Sequence, residues 1–108
     1  MFAQPRTPWQ TRAAVSIACV TIAFRLEGCR SLKEKRQRLS GLRDRFGRNP
    51  QVAVFESESA DVLDRAEWTF VAAASAASVV EQLLAGIERD VQEIVDAEVV
   101  RMVRERLV

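Results

Sequence analysis

The apolar residues of this chain recur first at strand spacing, then at helix spacing, then twice more at strand spacing, and finally as a helix and a strand. That order leaves few folds open. Val15–Leu26 is rich in β-branched and apolar residues. As a strand it places Ala18, Val20, Ile22, Phe24 and Leu26 on one face and Val15, Ile17, Cys19, Thr21, Ala23 and Arg25 on the other. Glu27-Gly28-Cys29-Arg30 reads as a turn, with Gly28 free to take a positive φ. Ser31-Leu32-Lys33-Glu34 then has the form of a capping box. The Ser31 hydroxyl accepts from the Glu34 amide, and the Glu34 carboxylate reaches back to the Ser31 amide. The helix is predicted to run to Phe46 or Gly47, where Gly47 and Pro50 stop it. At about 100° per residue, Leu32, Leu39, Leu42 and Phe46 fall within one arc of about 80°, and Lys35 falls inside the same arc.

Beyond this helix, Val52–Glu56 alternates as a second strand, and Asp61 is placed to cap a short turn through Arg65. A third strand is expected over Glu67–Ala74, with Trp68, Phe70 and Ala72 toward the helices. Ser75 or Ser78 is predicted to cap a second helix along the stripe Val80, Leu83, Leu84, Ile87, Val91 and Ile94. The last strand falls within Ala97–Leu107, where Val99, Val100, Met102 and Val103 give no clean phase. Right-handed crossovers in both strand–helix–strand units put the two helices on one face. The expected class is therefore α+β, a ferredoxin-like βαββαβ sandwich with an antiparallel four-stranded sheet. The domain spans residues 15–108. Residues 1–14, with Pro5, Pro8 and Trp9 and no periodicity, read as a flexible N-terminal arm.

Several function classes are disfavoured by residues the chain lacks. It has no histidine, which removes Ser-His and Cys-His nucleophile pairs and the usual neutral-pH base. Its two cysteines, Cys19 and Cys29, make neither a disulfide framework nor a zinc site. Glu56, Glu58, Asp61 and Asp64 match no calcium loop and read as capping and ion-pairing residues. No metal, no cofactor and no catalytic residue is expected, and the chain is read as a non-enzyme. With neither a signal-peptide h-region nor an apolar run of membrane-spanning length, the expected compartment is the cytoplasm, away from any membrane.

A net charge of +1 conceals a division: residues 1–48 carry 11 basic and 3 acidic side chains, and residues 49–108 carry 5 basic and 12 acidic. Such asymmetry marks either a nucleic-acid surface or two parts of the fold attracting each other.

Ser31-Leu32-Lys33-Glu34-Lys35-Arg36, directly after a strand ending Leu26-Glu27-Gly28, resembles the signature of the YlxP-like family of small bacterial proteins, a domain of unknown function. The resemblance continues through Val52-Ala53-Val54-Phe55-Glu56, then Asp61 and Arg65-Ala66-Glu67, and covers about residues 15–108. Glu27 stands where the family commonly has proline and Phe55 where it commonly has alanine; the segment before Val15 is additional. The resemblance implies the ferredoxin-like fold and no catalytic residues. Through gene neighbourhood alone, it also implies a ribosome-related role.

Between Arg30 and Arg48 lie eight basic residues and two acidic ones, Glu34 and Asp44. Glu34 with Arg38 and Asp44 with Arg48 are spaced for i,i+4 pairs, leaving Arg30, Lys33, Lys35, Arg36, Arg43 and Arg45 without local partners. Lys33, Arg36 and Arg43 are accordingly the candidate nucleic-acid-binding residues, with RNA or the ribosome as partner; the alternative is a solvated helix face. The open sheet face, with Ile17, Cys19, Thr21, Ala53, Phe55 and Val71, is a candidate surface for a homodimer or for a small ligand or protein. Lys35 in the buried arc needs a partner. Because the first two strands run parallel, Glu56 at the end of the second lies beside the start of the first helix and is the predicted structural partner.

Overall fold

The computed structural model describes residues 14–108, so the expected arm of residues 1–14 lies outside it except for Ala14. Four strands, β1 (Ser16–Arg25), β2 (Val52–Glu58), β3 (Arg65–Ala74) and β4 (Glu98–Arg106), form one sheet in the order β2-β3-β1-β4, every neighbouring pair antiparallel. The apolar β1 takes an interior place, paired along its whole length with β3 and on its other side with β4. A register shift at Ala23/Phe24 sets β4 one residue out of step, which is why the valines of that segment show no single phase.

The helical segments are α1 (Leu32–Leu39), α2 (Gly41–Phe46) and α3 (Ala77–Ile94). The single first helix expected over this stretch is two segments, although Ser40 between them keeps helical angles, φ −60° and ψ −30°. The Ser40 hydroxyl donates to the Gln37 carbonyl at 3.1 Å, a local bond that competes with the helical ladder. Gly41 sits against α3: a Cβ there would stand 2.3 Å from Ile94 Cγ2, so this close crossing requires glycine.

One face of the sheet carries Val20, Ile22, Phe24, Ala66, Trp68, Phe70 and Ala72, all buried, against Leu39, Leu42, Phe46, Val80, Leu84, Ile87 and Val91 of the helices. Phe46 meets Phe70 edge-to-face with centroids 5.6 Å apart. Burying side chains of this size stabilises the fold by about 1.5–3 kcal/mol each. Leu83 is only partly buried at the margin of this core. The fold is the expected α+β sandwich: one antiparallel sheet with its helices on one face.

Two capping expectations are corrected. At α1 the Glu34 amide donates to Ser31 Oγ at 3.0 Å, but the Glu34 carboxylate accepts from the Arg30 amide, at 3.3 Å, rather than from Ser31. At α3 neither Ser75 nor Ser78 caps. Ala76 holds the N-cap position in extended backbone without a side-chain bond, and Glu81 turns instead to Arg104 of β4. Asp61 lies in a turn, with no helix following it before β3. Gly28 has φ 73°, the left-handed conformation its turn requires. No helix among the described residues is long and apolar enough to cross a membrane.

Candidate functional site

The stripe that buries Leu39 and Leu42 carries Lys35 inward with them, to 4% exposure. Its ammonium reaches the far end of β2. Lys35 Nζ lies 3.1 Å from Glu56 Oε2 and donates to the carbonyls of Ser59 at 2.6 Å, Val62 at 2.8 Å and Ala60 at 3.3 Å. Ser59 has φ 65°, a left-handed conformation costly for any residue but glycine, and its carbonyl makes the shortest of these contacts. The ammonium thus fixes the 59–62 loop around itself. The carbonyls take its hydrogen bonds, and Glu56 serves as counter-ion without hydrogen-bond geometry: Glu56 Oε2 is buried and accepts from no donor.

Trp68 stands directly opposite Glu56 in the β2–β3 register and is also on the helix side. It is nine-tenths buried, and its Nε1 has no acceptor. The Arg43 guanidinium lies over the indole, Cζ 5.4 Å from the ring centroid.

Between α1–α2, the 59–62 loop and the β2–β3 end of the sheet, these residues line a cleft of about 550 Å³. That falls within the range of small-ligand sites. Leu32 and Leu39 supply an apolar wall, and Arg36 and Arg43 line it from the helical side. Its charges balance, Lys35, Arg36 and Arg43 against Asp44, Glu56 and Asp61. The Lys35 ammonium, however, is already occupied by Glu56 and the loop carbonyls.

Of the candidate RNA contacts, Arg36 and Arg43 lie at this cleft while Lys33 lies outside it; all three are exposed. Among the described residues, none of the three has a carboxylate within the 4.0 Å of an ion pair. Their neighbours are occupied. Arg38 pairs with Glu34 at 3.5 Å and donates to the carbonyls of Glu27 at 2.9 Å and Asp96 at 2.7 Å, tying α1 to two loops. Arg45 pairs with Asp90 of α3 at 3.1 Å. Asp90 is held below the usual carboxylate range chiefly by its hydrogen bond from Arg89, with Arg45 adding. The i,i+4 pair expected between Asp44 and Arg48 does not form.

The open sheet face is partly polar. Thr21 and Thr69 hydroxyls are 2.9 Å apart, Thr69 donates to Ser57 at 2.9 Å, and Ser57 donates to the Glu67 carbonyl at 3.2 Å, a row of hydroxyls across three strands. Phe55 and Val103 remain exposed. Cys19 is buried in this face. Burial, and secondarily the Glu105 charge, push its thiol pKa up, against a backbone hydrogen bond from Glu105. Cys29 Sγ donates to the Ser31 carbonyl at 3.4 Å. Among the described residues, no three His, Cys, Asp or Glu side chains cluster as metal ligands would.

Trp68 is the member of this site that sequence reasoning assigned only to the core. The legible sign was its place opposite Glu56, a polar position on a buried face, which puts an indole N–H beside a carboxylate. The family model described as "Protein of unknown function (DUF503)" matches residues 17–104. No curated protein matches the chain.

Proposed function

We propose a non-catalytic, RNA-binding role for this chain, which belongs to the DUF503 family of proteins of unknown function. Its hexapeptide Ser31–Arg36, together with Val52–Glu56 and Arg65-Ala66-Glu67, supports reading it as a YlxP-like member, a cytoplasmic protein whose partner is RNA or the ribosome. The observation that carries this reading is the contrast among the cations of α1 and α2. Lys35, Arg38 and Arg45 are spent on carboxylates of the fold, while Lys33, Arg36 and Arg43 are exposed with none. Unpaired cations on a rigid surface are what phosphate contacts require. The absence of histidine supports a binding rather than a catalytic role.

The test compares wild type with a K33E/R36E/R43E variant on structured ribosomal RNA. Circular dichroism should show both folded, because the three residues are exposed and pair with no carboxylate of the fold. Wild type should bind with steep salt dependence. The variant should lose that binding, and each single removal should flatten the salt slope by about one unit. Salt-insensitive or absent binding by wild type, or equal binding by the variant, abandons the reading.

A second reading, a homodimer or ligand module acting through the open sheet face, has Phe55 and Val103 in its favour, 43% and 51% exposed. Association through those apolar groups should persist at high salt, which separates it from phosphate binding.

A further inference from the structure

Two buried polar atoms at the cleft under Arg43 have no hydrogen-bond partner, the Glu56 Oε2 acceptor, which has only its ion pair with Lys35, and the Trp68 Nε1 donor. They belong to residues directly opposite each other on β2 and β3. Leaving such groups without hydrogen bonds is costly, so a ligand that donates to the Glu56 carboxylate gains from it. The interior of the cleft is a poor phosphate site, because Asp44, Glu56 and Asp61 line it and Lys35 is already engaged. It suits a neutral, planar group carrying an N–H on one edge, aimed at the Glu56 carboxylate. Every nucleobase has such an edge. The indole supplies a stacking surface, and in this structure the guanidinium of Arg43, which has no carboxylate partner among the described residues, covers it.

We propose that the cleft takes one unpaired nucleobase, stacked on Trp68 in the place Arg43 occupies here, with an N–H edge toward the Glu56 carboxylate. Arg43 is then both cover and contact: displaced from the ring, it turns to the phosphate beside the captured base. This rests on the RNA reading above and gives it a preference, for single strands over duplex. A paired base keeps its edge and both faces within the helix and cannot enter.

Trp68 and Trp9 are the two tryptophans of the chain, so a W9F background makes Trp68 the only indole reporter. Titration with a short unstructured RNA strand should change Trp68 fluorescence saturably. The same strand annealed to its complement should leave it unchanged. A neutral nucleoside, which has no phosphate for the ridge to hold, should produce the same change at high salt, with weaker affinity. Replacing Trp68 with leucine should weaken single-strand binding about 5- to 100-fold, the usual worth of one stacked base. Because Trp68 also packs in the core, R43A provides a second measure. It should raise quenching of Trp68 by acrylamide in the free protein, and single-stranded RNA should reverse the increase.

Salt-sensitive RNA binding that the charge-reversal variant abolishes, but that leaves Trp68 fluorescence unchanged and does not distinguish single strand from duplex, overturns the cleft proposal while the RNA reading stands. Absence of any RNA binding removes the RNA reading. The nucleoside titration then decides the cleft by itself, and a flat response rejects it. Unchanged acrylamide quenching in R43A would show that Arg43 is no cover, and would likewise overturn the proposal.

Discussion

A lysine that keeps only 4% of its surface in water is costly to bury without partners, and Lys35 has a carboxylate and three carbonyls. Removing the ammonium leaves the largely enclosed Glu56 without its counter-ion, and leaves the Ser59 and Val62 carbonyls without their donor. K35M should therefore lower the unfolding free energy by about 3–5 kcal/mol, as breaking one half of a buried pair does. Urea denaturation measures this. Adding Glu56→Leu to K35M should recover part of the loss, because no uncompensated charge then remains. A loss under about 1 kcal/mol in K35M would mean that the cage does not hold the loop. The nearness of Lys35 to Glu56 was legible in the sequence, since one lysine interrupts an apolar stripe and strand direction places the end of β2 beside it. The carbonyl cage was not. It depends on the left-handed turn at Ser59, and a serine in a polar loop gives no sign of that conformation.

At the level of elements, the strands and helices were readable wherever burial imposes a period. What escaped depends on contacts distant in sequence. The α3 cap was misassigned because two serines offered local partners, whereas Glu81, the supposed box residue, is taken by Arg104 from 23 residues away. Arg45 had no partner in its own turn because its partner Asp90 lies 45 residues on. The division of the first helix at Ser40 likewise reflects its crossing with α3 at Gly41. Alanine favours an isolated helix over glycine by about 1 kcal/mol. Here its Cβ would meet Ile94 Cγ2 at 2.3 Å, and the overlap should reverse the sign. G41A is expected to destabilise by about 1–3 kcal/mol, the cost of overpacking. Thermal unfolding of G41A, I94A and the double variant forms a cycle in which the double should be more stable than the two single losses predict. An additive cycle would mean that the crossing has room, and that glycine stands there for another reason.

Over the whole molecule, the charge division of the sequence serves two ends that the sequence could not separate. Among the described residues, four ion pairs join the basic stretch to the acidic one: Arg25–Glu98, Lys35–Glu56, Arg38–Asp96 and Arg45–Asp90. Three of the four have at least one side chain more than half exposed, and only Lys35–Glu56 is enclosed on both sides. Exposed pairs contribute about 0.2–1 kcal/mol each and are screened by salt. The intramolecular attraction is therefore too weak by itself to account for so many cations on α1 and α2, and Lys33, Arg36 and Arg43 take no part in it. Raising sodium chloride tenfold, from about 0.05 to about 0.5 M, should shift the unfolding free energy by no more than about 1 kcal/mol, because the enclosed pair is shielded from the ions. If the three cations each hold a phosphate, the same change should weaken single-stranded RNA binding by about 100-fold. Both quantities are measurable on one preparation, by urea titration and by fluorescence anisotropy of a labelled strand. A loss of stability above about 2 kcal/mol with RNA binding unmoved would assign the division to the fold, since screened surface pairs and not phosphate contacts would then be what the salt removed.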